Sequence, residues 1–109
     1  GMNWLLLVIA GLFEVGFAAC LGQARITEGG TRFWWLAGFV ACLTVSMSLL
    51  YKAVQTLPVG TAYAVWTGIG AAGTAVVGMV FFKEPADAWR LFFLFTLIAS
   101  IIGLKVVSS

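Results

Sequence analysis

The chain has 109 residues, of which 62% are hydrophobic and only 9% are charged, and its net charge at pH 7 is +2. A soluble domain carries roughly 25% charged residues, so this composition excludes a soluble globular fold and favours a lipid bilayer as the solvent. The small net charge does not suggest nucleic-acid binding, and the absence of histidine, with no ligand cluster, predicts neither a metal nor a cofactor.

Four apolar segments predict an all-α membrane protein with four transmembrane helices. Each is close to the roughly 20 residues that a helix needs to cross the hydrocarbon core of a bilayer. The predicted spans are residues 3–21, 33–51, 58–82 and 87–107. Pro58 and Pro85 are predicted to lie at helix starts, where a missing N–H group does no harm. Because the polar segments between the spans are short, residues 1–109 are predicted to form a single transmembrane domain.

The first predicted span contains one charged residue, Glu14, within the sequence AGLFEVGFAACLG. On a helix, its neighbours one turn away are small except for one aromatic ring: Ala10, Gly11, Phe17 and Ala18. A carboxylate at this depth is costly, so it should face a helix interface or a wet cavity. Two interpretations follow: an acid that exchanges protons near neutral pH, or a permanently protonated acid that is bonded to a neighbouring helix.

The second and third spans supply polar and aromatic side chains that suit a cation site. Ser46 lies in the second span, although a lone serine in a membrane helix more often bonds to its own backbone. One stripe of the third span carries two aromatic rings, two hydroxyls and no charge: Tyr63, Trp66, Thr67, Gly70 and Thr74. Aromatic faces attract cations, and hydroxyls can bond or orient a carboxylate. The alternative for the aromatic residues is interfacial anchoring or packing.

A second stripe of the third span has a small residue at every fourth position: Gly60, Ala64, Gly68 and Ala72. Small residues let helices approach closely, so Gly60, Gly68 and Gly70 are predicted helix-packing positions. Four short helices cannot easily enclose a wet central acid, which favours a dimer that brings two Glu14 carboxylates to one cavity. A cation and protons would then compete for the same carboxylates, and that competition is sufficient for coupled antiport.

The positive charges give only a weak preference for one orientation in the membrane. Two lie on the side of the termini and four on the other side: Lys52 and Lys105, against Arg25, Arg32, Lys83 and Arg90. Positive residues favour the cytoplasm. The sequence is therefore compatible with a fixed orientation that has both termini outside, with insertion in both orientations, or with pairing to a partner of opposite bias.

Four sequence motifs resemble those of the small multidrug resistance transporters, and most closely those of their guanidinium-exporter subtype. The motifs are AGLFEV around Glu14, LPVGTAYAVWTGIGA at 57–71, FFKEP at 81–85 and IIGLK at 101–105. The resemblance covers nearly the whole of residues 2–109, and the motif of the third span is the most specific part of it.

The resemblance implies an antiparallel, dual-topology dimer in the bacterial inner membrane that exports small guanidinium cations in exchange for protons. By position, Glu14 is the shared proton and substrate carboxylate, while Ser46, Tyr63 and Trp66 line the site and bond or orient the acid. The subtype usually has Trp where this chain has Phe17, so Phe17 is predicted to line the site and to affect selectivity, the alternative being packing. The implied partners are the cation, protons, the lipid bilayer and a second subunit.

Two further functions compete with guanidinium export. One is a broader exporter of quaternary ammonium or hydrophobic cations. The other is a membrane subunit that transports only when it is paired with a different member of the family. None of the three is an enzyme, and no catalytic residue is predicted.

Overall fold

The computed structural model describes residues 2–108, which form four helices and three short connections. In chain order the helices are α1 (Met2–Ile26), α2 (Gly30–Ala53), α3 (Val59–Phe81) and α4 (Ala88–Ser108). All four are long and apolar enough to cross a bilayer, and no strand occurs among the described residues. The predicted all-α membrane fold is confirmed, whereas its assembly as an antiparallel dimer stays a prediction.

The helices α1 and α2 are longer than the predicted spans, because both continue into the polar segment GQARITEGGTR. Gly29 makes the reversal between them, with a φ of 72° that glycine adopts without steric cost. Arg32 Nε then donates to the carbonyl oxygens of Ala24 (3.1 Å) and Thr27 (2.9 Å). A cation at the carboxyl end of a helix satisfies free carbonyls there, which is why α1 can end in a tight turn.

The two prolines differ in their relation to the helix starts. Pro58 is the residue immediately before α3, as predicted. Pro85 lies three positions before α4, so the prediction that it begins a helix is wrong. Asp87 occupies the capping position instead, and its Oδ1 accepts the backbone N–H of Arg90 at 2.9 Å. A carboxylate that satisfies a free N–H of the first turn stabilises a helix start, so α4 begins after Asp87.

Helix α1 is central to the packing, since it contacts both α2 and α3, while α4 packs on α3. The helices approach each other closely at glycine residues, which have no side chain. A Cβ at Gly11 of α1 would lie 2.6 Å from the Ile69 side chain of α3, and one at Gly68 would lie 2.7 Å from Ile101 of α4. Gly68 therefore lies close against α4, and its role in helix packing stays a prediction.

Large apolar side chains cover the outside of the four-helix unit. Trp34, Phe95 and Val107 are each about three-quarters exposed or more, and α4 has no buried residue in its described part. A surface of this kind is stable in hydrocarbon rather than in water. Gly60 is also exposed, and a Cβ there would meet no atom within 4 Å, so its role in helix packing stays a prediction.

Candidate functional site

Glu14 lies on the face of α1 that contacts α3, directly against Gly70. A Cβ at Gly70 would overlap the Glu14 carboxyl group, so the acid occupies the space that any other residue at that position would fill. Glu14 Oε1 is buried, and no group among residues 2–108 donates a hydrogen bond to it. A buried acceptor without a donor is costly in protein interiors, which marks this oxygen as a place for a ligand or a proton.

A cavity of about 620 Å³ begins at this carboxyl group and runs between α1 and α3. Most of its wall is made of small and apolar side chains, including Ala18, Gly22 and Ala75. Three charged residues from the helix ends complete the lining: Arg25, Glu84 and Arg90. The lining therefore extends from an acid inside the membrane span to charged residues at the level of the α1–α2 and α3–α4 connections, and we call this charged end of the cavity its mouth.

Ser46 of α2 is hydrogen-bonded to both α1 and α3, and its partner in α1, Ala10, lies one turn before Glu14. Its hydroxyl is fully buried, donates to the Ala10 carbonyl of α1 at 2.7 Å, and accepts the indole N–H of Trp66 at 2.9 Å. Its neighbours Thr44 and Ser48 instead bond to carbonyls of their own helix, as expected for hydroxyls in membrane helices. Ser46 departs from that general tendency because a second helix lies within its reach.

The aromatic pair of α3 has one buried and one exposed member. Trp66 is only 7% exposed, while Tyr63 is half exposed and stacks on it with ring centroids 5.4 Å apart. The burial of Trp66 and its bond to Ser46 do not fit interfacial anchoring. The rest of the predicted stripe divides: Gly70 contacts Glu14, Thr74 lines the cavity, and Thr67 is exposed.

Phe17 contacts an aromatic residue of α2. Its ring packs edge-on against Phe39 of α2, with the centroids 5.8 Å apart and the planes at 90°. It does not belong to the lining of the Glu14 cavity. This geometry agrees with the packing alternative, and the role of Phe17 in selectivity stays a prediction.

The charged mouth of the cavity is not predicted by the sequence. Arg25 and Arg90 enter the sequence-based prediction only as positive charges that flank the spans, and Glu84 enters only as part of the motif FFKEP. The motif FFKEP holds the missed acid, and the arginine that pairs with it lies six positions later, in the first turn of α4. Because a break between two helices separates Glu84 from Arg90, their spacing in the sequence does not predict a contact until the conformation of the turn is known.

The sequence matches the family model of the Small Multidrug Resistance protein over residues 2–98. Two similar proteins are both named guanidinium exporter. The one from Proteus vulgaris is 44% identical over 107 residues, which are 98% of this chain and 100% of that protein. The one from Escherichia coli (strain K12) is 49% identical over 105 residues, which are 96% of this chain and 97% of that protein.

Four membrane-spanning helices, the first of which carries an acid with one buried carboxyl oxygen, define a small multi-pass membrane protein. With the matches over nearly its full length, the chain belongs to the small multidrug resistance family. The predicted family is thereby confirmed, as is a multi-pass membrane location, which in bacteria is the inner membrane. The relatives' names denote exporters, in agreement with the prediction of a transporter rather than an enzyme.

Proposed function

We propose that this protein exports small guanidinium-type cations across the inner membrane in exchange for protons. The observation that carries the proposal is the buried, unpartnered Oε1 of Glu14 at the inner end of the cavity. Guanidinium is planar and presents several N–H donors to a carboxylate, so it suits an acceptor that lacks a donor. The names of the relatives that are 44% and 49% identical support the choice of this cation.

Exchange with protons follows from the use of one carboxyl group for both ligands. A proton on Glu14 removes the negative charge that attracts the cation, and a bound cation opposes protonation. Ser46 and Trp66, which are bonded to each other beside α1, are proposed to hold the site in shape, and Tyr63 to cover it. In this role the protein needs no catalytic residue.

An antiparallel dimer is proposed as the working unit. The charge bias between the two sides is weak, and the exposed α4 and Gly60 offer surfaces for a second subunit. Antiparallel pairing predicts that a membrane-impermeant reagent, applied from either face, labels a carboxyl-terminal tag in about half of the molecules. A tag that is reached from one face only, in a preparation of the chain that transports by itself, contradicts this arrangement.

The function is tested by transport measurements on the purified chain in liposomes under a pH gradient. Guanidinium, a singly alkylated guanidinium and tetramethylammonium are compared, with protein-free liposomes and liposomes without a gradient as controls. We expect gradient-driven transport of both guanidinium compounds and little transport of tetramethylammonium. Preferred transport of tetramethylammonium would indicate the broader exporter, and transport that requires a second family member would indicate a paired subunit.

A further inference from the structure

Glu84 lies at the mouth of the cavity, where the turn after α3 positions it. Lys83 adopts the left-handed conformation, with a φ of 56°, and turns the chain back over the end of α3. The backbone N–H groups of Phe82 and Glu84 then donate to the same carbonyl, that of Gly78, at 3.1 and 3.0 Å. A Cβ at Gly78 would overlap the Glu84 carboxyl group, so the missing side chain makes room for this acid as Gly70 does for Glu14.

Glu84 already holds a guanidinium group. Arg90 Nη2 donates to Glu84 Oε1 at 2.9 Å, and the two side chains are 32% and 42% exposed, respectively. Exposed ion pairs of this kind contribute little to stability, because water and salt compete for both partners. The pair can therefore open without loss of the fold, while Asp87 and the Gly78 carbonyl keep the two backbone segments in place.

This pair shares a cavity with Glu14 and lies at the mouth of that cavity. Glu14 and Glu84 line the same cavity, and the two glycines that accommodate them are about 12 Å apart along α3, at 1.5 Å per residue. Arg25 also lines the cavity. With Arg25 and Arg90 both positive, Glu84 is the group near the mouth that attracts a cation.

We propose that Glu84 is an outer binding site for the guanidinium group of the transported cation, which it binds in exchange for the guanidinium of Arg90. The inference rests on the proposed function and extends it with a second site near the mouth. A carboxylate positioned to accept an arginine N–H accepts the N–H of a free guanidinium by the same chemistry. Tetramethylammonium has no N–H donor, so the outer site disfavours it before it reaches Glu14.

The test uses the small number of glutamates in the chain. The protein contains only Glu14, Glu28 and Glu84, so labelling with glutamate that carries ¹³C at the side-chain carboxyl gives three signals. The full-length Glu14→Gln protein removes the inner site and leaves two signals. We expect guanidinium chloride to shift the Glu84 signal to saturation, whereas tetramethylammonium chloride at matched concentration does not. Glu28, which is exposed and outside the cavity, is the internal control.

The proposed exchange with Arg90 leads to a second prediction, in which a substitution tightens guanidinium binding instead of weakening it. Arg90→Gln removes the internal competitor, so guanidinium should bind at Glu84 about two- to fivefold more tightly, as expected from the loss of an exposed ion pair. Lys52→Gln removes one positive charge far from the mouth and should leave this affinity unchanged. Equal or weaker binding in Arg90→Gln would overturn the exchange.

The outer site and the proposed function fail in different ways. The outer site is overturned if guanidinium shifts the Glu84 signal no more than the Glu28 signal, or if both salts shift the Glu84 signal equally. This holds even when guanidinium still shifts the Glu14 signal of the unmodified protein. A Glu14 signal that guanidinium leaves unchanged overturns the proposed function instead. The titration of the Glu14→Gln protein decides the first question without depending on the folding of the Arg90 variant.

Discussion

The Glu14→Gln protein is expected to keep its fold and to lose gradient-driven cation transport completely. Glutamine has the same shape as glutamate but carries no charge and does not titrate, so neither the cation nor the proton retains its partner. The measurement is guanidinium transport in liposomes together with thermal unfolding in detergent. Glu28→Gln is the matched control, because Glu28 is exposed in the α1–α2 connection, and it should transport normally. Proton-coupled transport that survives Glu14→Gln would refute the mechanism.

The same carboxyl group predicts how cation affinity depends on pH. Protonated Glu14 has no charge for a cation, so affinity should weaken as the pH falls, by up to about tenfold per pH unit where one proton is released for each cation bound. Binding to the unmodified protein and to Glu28→Gln should show this dependence equally. An affinity that does not change between about pH 6 and 9 would show that protons and the cation do not share the site.

The number of helices could be predicted from the sequence because the bilayer fixes both their composition and their length. Their ends could not, since polar residues at a helix end are compatible with a helix or with a loop. The continuation of α1 to Ile26 depends on Arg32, which satisfies carbonyls at that end, and the start of α4 depends on the cap from Asp87. Both contacts involve side chains that the hydropathy pattern does not weigh.

The candidate site was partly predictable for a similar reason. Glu14 can be identified without any structure because it is the one acid in an apolar span, and charged residues are costly within a membrane and usually functional there. Which side chains meet across helices depends on rotation and register, and these are set by close contacts such as Gly11 with Ile69. The bond from Ser46 to Ala10 and the contact of Phe17 with Phe39 follow from that register, so composition alone could not give them.

The turn at the end of α3 could not be predicted from the types of the residues that form it. A left-handed residue after a helix is usually glycine, and here it is Lys83. Without a glycine to mark the turn, the sequence gives no indication that Glu84 folds back toward the cavity. Gly70 was predicted as a helix-packing position, but the sequence does not indicate that the group of α1 against it is the Glu14 carboxyl.

Gly70→Ala is expected to reduce guanidinium transport by about a hundredfold, the scale of loss that follows a displacement of about 1 Å in a binding geometry. The new Cβ would overlap the Glu14 carboxyl, so the acid must rotate away from α3. Alanine favours helix over glycine, so backbone propensity alone would not destabilise α3. Gly30→Ala is the control, because its Cβ would meet nothing within 4 Å and it should transport normally.

A double substitution separates the loss of this contact from a general loss of folding. A Cβ at Gly70 would meet Cγ, Cδ and Oε1 of Glu14, and Glu14→Ala removes all three atoms and so leaves space for it. The Glu14→Ala, Gly70→Ala protein should therefore unfold at about the same temperature as Glu14→Ala alone, although Gly70→Ala lowers the unfolding temperature of the protein with the native acid. Such non-additivity is the signature of two residues in direct contact. Additive losses in the double variant, or normal transport in Gly70→Ala, would show that the open space at Gly70 does not position the acid.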